Sequence, residues 1–437
     1  MARKIFVSFL GTGKYESVSY KSWKGDSRAS DTRFVQRAII ELYPKSQLDA
    51  IVILETEQSR DKHEQDLRDE LKSIGVSIDD VDFELISADV SNLSMTWKWF
   101  ELLQSKFENG DTLILDVTHG FRMVPIVFSA AVAYLKRVKN VQLEAVLYGA
   151  HDIEGKPIID LKDFYTISDW TEGVGRLVDS ADASFLRKTA ENESGGSFAG
   201  LNNKELLDSI ESLTSALRNV ELQNIEQKAR TSLELIENFR ARTQSEMEKQ
   251  VLSMVLERFR PLMSYPPLDG TYSLDYLKLQ LRLIQMLADY KLYMQAFTAM
   301  NEWLGSLGVF LMKRGTDFRF TGRKEKTARK HADMFLAMLD VIVRQRKEFI
   351  TNSDNEAKLK ASLDGAYRLL LEKYSADEEI ANLLDQSKNI RNGFNHGWTG
   401  THRNGAPEDL GNIFANAMAT LNKIVNKIEQ DEIAAKD

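Results

Sequence analysis

Up to Leu161 the chain alternates short β-prone apolar runs with helical periods, and beyond Thr166 it never does so again. That switch constrains the fold more than any other feature, because each regime needs its own kind of core. The strand-like runs are Lys4–Leu10, Ala50–Leu54, VDFELISAD from Val81 and TLILDV from Thr112. QLEAVLYGAHD and KPIIDL follow, joined by the turn Ile153-Glu154-Gly155. Between them lie helical patterns: Asp31, a good N-cap, through to Pro44; Ser59 to Ile74, closed by Gly75; MTWKWFELLQSKF; and Val124–Val138. Strands this apolar, alternating with helices of this length, form a parallel sheet covered on both faces. The expectation is an α/β, Rossmann-like domain over residues 1–170 and an all-α region over 171–437, since 437 residues exceed what one core usually serves.

In the second region the patterns predict long helices over Asn203–Arg260 and Leu274–Lys313, separated by the proline-rich PLMSYPPLDGTYS. Further helices are expected over Thr327–Phe349, Glu356–Tyr374, Ala376–Ile390 and Asn412–Ile433, with ESGGSFAG as a loop. Cysteine is absent, which excludes disulfides, zinc ribbons and thiol chemistry. The six histidines, at 63, 119, 151, 331, 396 and 402, show neither HxH nor HExxH spacing, so no metal site is expected. A formal charge of −8 argues against nonspecific coating of nucleic acid while leaving room for a local basic groove. No secretory pattern and no membrane-length apolar run is found, and a soluble cytoplasmic protein without membrane contact is expected.

Two strand ends invite a ligand, because in open α/β sheets ligands bind beyond the carboxyl ends of the strands. The first is Gly11-Thr12-Gly13-Lys14. It is not a Walker A loop, since Tyr15 stands where Ser or Thr is needed, and not a dinucleotide fingerprint, since Glu16 replaces the third small residue. What remains is a turn whose backbone can approach a phosphate or base, or a plain tight turn. The chain from Lys14 to Ser30, with Trp23, reads as a long loop able to form a lid. The second strand end is LILDVTHGFR, with Asp116, Thr118, His119, Gly120 and Arg122.

An Asp-x-Thr-His-Gly signature after a strand resembles the DxTHG family of CRISPR-associated proteins. The resemblance implies an N-terminal CARF domain, a Rossmann-like sensor of cyclic oligoadenylate, followed by an effector that is often an all-α HEPN ribonuclease. It implies no cofactor, and as activator a cyclic oligoadenylate, cyclic tetra-adenylate first among the ring sizes. The ring would bind across a homodimer, each chain offering Gly11 to Lys14 and Thr118 to Arg122. Main-chain N–H groups and Arg122 would meet phosphates. Asp116 and Thr118 would hold the turn or read a ribose or base, and His119 would either touch ligand or bond its own loop.

Near the C-terminus, Arg391-Asn392-Gly393-Phe394-Asn395-His396 matches the R-x4-H pattern of HEPN ribonucleases. A metal-independent ribonuclease needs a group for the 2′-hydroxyl proton and a cation for the phosphate. Histidine suits the first and the planar guanidinium the second. His396 is thus the candidate acid or base, Arg391 the phosphate clamp and Asn392 a positioning residue. Five helical steps rotate by roughly 500°, leaving the two side chains about 140° apart. One regular helix converges them poorly on a phosphate, and the HEPN solution is a dimer with two motifs facing each other.

Lower candidates are Glu302, on a helix that could orient Arg391, and His402 and Arg403, which could touch RNA. His151-Asp152 reads as a strand end, and Trp97, Trp99, Tyr290 and Tyr293 as core or interface. The expected function is a cyclic oligoadenylate-activated, metal-independent, single-stranded RNA endoribonuclease of type III CRISPR defence. A protein that only binds or cleaves the cyclic nucleotide, and a nucleotide-responsive DNA-binding regulator, are the alternatives.

Overall fold

The computed structural model describes residues 2–43, 47–89, 93–120, 124–192, 198–263, 268–312, 318–320, 325–350, 354–399 and 405–435. Arg122, His402 and Arg403 lie outside these residues. The chain divides into two compact units, residues 1–169 and 170–437.

The first unit runs β1 (Lys4–Leu10), α1 (Val35–Leu42), β2 (Ala50–Glu55), α2 (Glu57–Ser59), α3 (Gln65–Ser73), β3 (Val81–Leu85), α4 (Leu93–Lys106), β4 (Thr112–Asp116), α5 (Val124–Val138), β5 (Gln142–Gly149) and β6 (Ile158–Asp160). The strand order is β3-β2-β1-β4-β5-β6, parallel except for β6, which runs antiparallel to β5. Alternation along β1 shows why two layers of helix are needed. Phe6 and Leu10 pack with α1 and α3 through Ala38, Ile39, Leu67 and Leu71. Ile5, Val7 and Phe9 face the other way, onto Trp99 and Leu103 of α4 and Phe128 and Val132 of α5. The chain turns to opposite sides of the sheet at β1 and β4, which places the switch point between the two strand ends singled out above.

Two local expectations are corrected. The helix after the first strand begins at Val35 with Phe34 as its cap, not at Asp31, because Thr32 is committed to a backbone bridge with Val18. The same bridge makes residues 15–34 a pinned segment rather than a free lid. Ala29 N donates to Tyr20 O at 2.9 Å, Lys21 N to Lys156 O at 2.9 Å and Ile158 N to Lys21 O at 2.8 Å. Trp23 stacks on Tyr43 with centroids 6.4 Å apart.

α6 (Lys162–Ser180) carries the division between the units. The second unit continues with α7 (Ser184–Glu191), α8 (Lys204–Arg218), α9 (Ile225–Arg242), α10 (Glu246–Phe259), α11 (Leu274–Asp289), α12 (Tyr293–Leu311), α13 (Glu325–Leu339), α14 (Asp354–Leu369), α15 (Asp377–Asn395) and α16 (Leu410–Ala434). Among its described residues there is no β-strand. α12 forms the centre of the core, with Phe297, Met300, Trp303, Leu304 and Leu307 fully buried. A Cβ on Gly308 would lie 2.2 Å from Phe335 Cγ, so the absence of a side chain there sets the close approach of α13.

The helix expected over Leu274–Lys313 is two helices. They break at Tyr290–Leu292, where Lys291 has φ +61° with neither glycine nor proline to announce it. Asn203–Arg260 resolves into α8, α9 and α10. From the segment read as a loop, Phe198 is drawn into the core and stacks on Trp170 at 4.5 Å.

Candidate ligand site and candidate active site

At the switch point Asp116 is fully buried and organises both strand ends. Its Oδ2 accepts from Ser8 Oγ at 2.6 Å; its Oδ1 accepts from Thr118 N at 2.9 Å and Thr118 Oγ1 at 2.5 Å. Thr118 Oγ1 in turn accepts from Gly149 N at 2.8 Å, tying β4 to β5. Burial pushes the Asp116 carboxyl up, against the hydrogen bonds from Ser8 and Thr118 that hold it down. Asp116 and Thr118 are therefore occupied in building the turn. Gly120 has φ +114°, and a Cβ there would press on Val124 and Phe9 at 3.3–3.4 Å.

The Gly11–Lys14 turn is tied back through its carbonyls. Lys62 Nζ donates to Thr12 O at 2.6 Å, and His63 Nε2 lies 2.9 Å from Gly13 O. Both side chains come from a single π-helical turn, Arg60–Glu64, inserted between α2 and α3. Tyr15 Oη accepts from Gly11 N at 2.8 Å. Among the described residues the N–H groups of Thr12, Gly13 and Lys14 make no hydrogen bond, and the three residues are exposed, so these donors are open to an anion. Tyr15 lies edge-on to both His63, at 4.7 Å, and His119, at 4.8 Å. His119 Nε2 is buried and has no hydrogen-bond partner among the described residues. Burial first, then the nearby His151 and His63, push His119 down to about 4, and it is neutral at physiological pH.

In the second unit Arg391 and Asn392 lie in the last turns of α15, which extends past Ile390 to Asn395, with His396 as its C-cap. Arg391 Nη2 donates to Asn392 Oδ1 at 3.2 Å, while Arg391 Nε is buried with no partner among the described residues. His396 is exposed, and the chain then reverses through Gly397 (φ +59°) and Trp398 (φ +55°). Trp398 N donates to Gly393 O at 2.8 Å, and its ring lies over Gly393, where a Cβ would come within 2.4 Å. Regular helical geometry thus stops between the two motif residues. Glu302 does not serve this motif: it forms an ion pair with Arg329.

Residues 5–152 match the family model described as CRISPR system endoribonuclease Csx1, CARF domain. The N-terminal unit is a CRISPR-associated CARF domain. The chain is also 30% identical over 104 residues to a CRISPR-associated protein of Methanocaldococcus jannaschii, a match spanning 22% of this chain and 16% of that relative. Among solved structures, Enterococcus italicus Csm6 bound to cyclic hexa-2′-fluoro-hexa-dAMP aligns over 97% of this chain and 94% of that one, with 15% identity. Its TM-score is 0.35, a likeness on which no argument rests.

Within the CARF domain, the strand-end groups singled out in the sequence fall at one place, with Asp116 and Thr118 beneath and Gly11–Lys14 and His119 above. Ser8, Tyr15 and His63 belong to the same cluster. Ser8 carried a signal, as a polar residue alternating into an otherwise apolar strand; His63, some fifty residues on, carried none. Among the described residues no cluster of His, Asp and Glu could hold a metal, and no helix is long and apolar enough to cross a membrane.

The CARF domain also holds a buried acid that the sequence did not flag. Glu55, at the end of β2 and 2% exposed, faces Glu64 of the π turn. Burial, then the Glu64 carboxylate, pushes it up to about 8. Because its folded value lies above the unfolded one, the native state holds the extra proton, and stability falls as pH rises from about 4.5 to about 8. Glu55→Gln is expected to flatten that decline and raise the melting temperature at pH 8. Thermal unfolding of both proteins from pH 5 to 9 checks this, and parallel curves would refute it.

Proposed function

We propose that this chain is a cyclic oligoadenylate-activated, metal-independent endoribonuclease that cuts single-stranded RNA. The observation that carries the reading is the Arg391, Asn392 and His396 group, gathered where α15 ends in a helical unit that follows a CARF domain. Asn392 holds the guanidinium of Arg391, and His396 stands exposed beyond the last helical residue, free to meet a 2′-hydroxyl. Arg391 neutralises the phosphate as the 2′-oxygen attacks phosphorus; His396 takes the hydroxyl proton or protonates the leaving 5′-oxygen.

In the CARF domain, the open N–H groups of Thr12, Gly13 and Lys14 would receive ring phosphates, and the neutral His119, held edge-on to Tyr15, would lie beside a base. Two chains would share one ring and complete one RNA site. An exposed aromatic row supports a second copy at the CARF domain: Trp97, 64% exposed, leads through Phe100 to Tyr134, with ring centroids 5.6 and 5.2 Å apart. Ring binding would shift the equilibrium toward the arrangement in which two motifs meet.

The test is a labelled single-stranded RNA incubated with the protein in EDTA, with and without cyclic tetra-adenylate or hexa-adenylate. Cleavage dependent on one ring is expected. Disappearance of the ring with intact RNA would move the activity to the CARF domain, and RNA cleavage that requires a divalent metal would end the metal-independent reading.

A further inference from the structure

A cavity of about 420 Å³ lies wholly within the helical unit, between α11, α12, the start of α13 and the α8–α9 connection. Its floor is polar and almost completely dry: Tyr276, Gln280 and Ser306 are 3%, 2% and 6% exposed. Gln280 Nε2 donates to Ser306 Oγ at 3.2 Å, and the single Ser306 proton goes to Glu302 O at 3.1 Å. In this arrangement the NH2 side of the amide faces the Ser306 hydroxyl, and the Tyr276 hydroxyl also interacts with the Gln280 side chain. Among the described residues Gln280 Oε1 is a buried acceptor with no partner, in the lining of a space large enough for a small molecule.

The mouth is acidic. Among the described residues Arg329 is the one cation in the lining, and it is already committed to both oxygens of Glu302 and, at 3.1 Å, to Asp333. Glu325 adds a further carboxylate at the rim. Glu221, Glu302 and Glu325 are the carboxylates of the described lining, against that one guanidinium. The Tyr272 hydroxyl in the wall is pushed up to about 12 by burial first; Arg329 opposes the rise, and Glu302, Glu325 and Asp333 add to it. A phosphate or carboxylate ligand would meet repulsion here. A ligand with N–H donors and positive charge would give Gln280 Oε1 its partner, lie against the Tyr272 and Tyr276 rings and meet the carboxylates at the rim. A bare metal ion fits poorly, since the carboxylates sit at the mouth and form no chelating cluster.

We infer that this cavity binds an aliphatic ammonium ligand of the polyamine class, its amine on Gln280 Oε1 and its charge balanced by Glu302 and Glu325. No covalent step is involved, and the site is separate from the Arg391 and His396 group.

Calorimetric titration of the full chain with spermidine, putrescine and, as a neutral donor-bearing control, adenosine tests the assignment at low ionic strength. Saturable spermidine binding is expected, weakened at least about tenfold by Gln280→Leu, the loss of one hydrogen bond to a charged group. Glu325→Gln, at an exposed position that leaves the core untouched, is expected to weaken it severalfold and keeps the test valid if Gln280→Leu fails to fold. Spermidine binding unchanged in the folded variants would mark diffuse attraction to an acidic surface and overturn the inference. No heat with spermidine, or saturable binding of adenosine alone, would overturn it equally.

Discussion

Replacing His396 with alanine is expected to lower RNA cleavage by roughly 10²–10⁴-fold, the range lost with a general acid or base, while leaving the melting temperature unchanged. The second half of that expectation follows from position. His396 caps α15 through its backbone, whose N–H donates to Asn392 O at 2.9 Å and whose carbonyl accepts from Thr399 Oγ1 at 2.7 Å, and its ring is exposed. An alanine keeps both backbone bonds, and an exposed substitution of this kind moves stability by only about 0.5 kcal/mol. Arg391→Lys is expected to fall almost as far in rate, because an ammonium lacks the planar fork that holds a phosphate on two oxygens and that Asn392 orients. Single-turnover cleavage of a labelled RNA in EDTA, with activating ring present, provides the rates, and denaturation of the same samples provides the control. Parental rates in either variant would remove this group from catalysis, whatever the CARF domain binds.

The architecture of the CARF domain was legible because its physics is local. Alternation along β1 tells both helical layers where to pack, and the polar residues that interrupt apolar strands, Ser8 and Asp116, mark the switch point. The helical unit was legible as helical but not in its breaks, since Lys291 reverses the chain without a residue type that favours positive φ. Motif residues on one turn, such as Arg391 and Asn392, can be found by spacing. Residues such as His63 and Glu55 reach the ligand site or its border by tertiary packing of a π turn, and neither the π insertion nor its partners leave a periodic trace. The pinning of residues 15–34 was hidden for the same reason, because its bonds run to Lys156 and Ile158, far along the chain. Spacing likewise put Glu302 on a long helix but could not say that Arg329, on another, would take it.

Asp116→Ala is expected to be the most destabilising single change in the CARF domain outside its apolar core, and to abolish ring binding. The carboxylate is the acceptor for three donors, Ser8 Oγ, Thr118 N and Thr118 Oγ1, and it is completely buried. Removing it strands those donors, two of them on the turn that also fixes Gly149. Unsatisfied buried groups cost about 1–3 kcal/mol each, and with partial relaxation the sum is about 3–4 kcal/mol. Asp116→Asn separates the two consequences. Its remaining oxygen can accept from Thr118, its NH2 can donate to a Ser8 hydroxyl that rotates to receive it, and no charge is buried, so the expected cost is about 1 kcal/mol. The amide variant should therefore stay folded and keep its turn, binding cyclic oligoadenylate within severalfold of the parent, because Asp116 acts from beneath the ligand and does not touch it. Denaturant unfolding gives the stabilities and titration with cyclic tetra-adenylate and hexa-adenylate the affinities. A stable Asp116→Ala protein would contradict the bracing role. A folded Asp116→Asn protein that has lost the ring altogether would make the carboxylate a direct ligand contact, placing the nucleotide deeper between β1 and β4 than the open N–H groups of Thr12 to Lys14 imply.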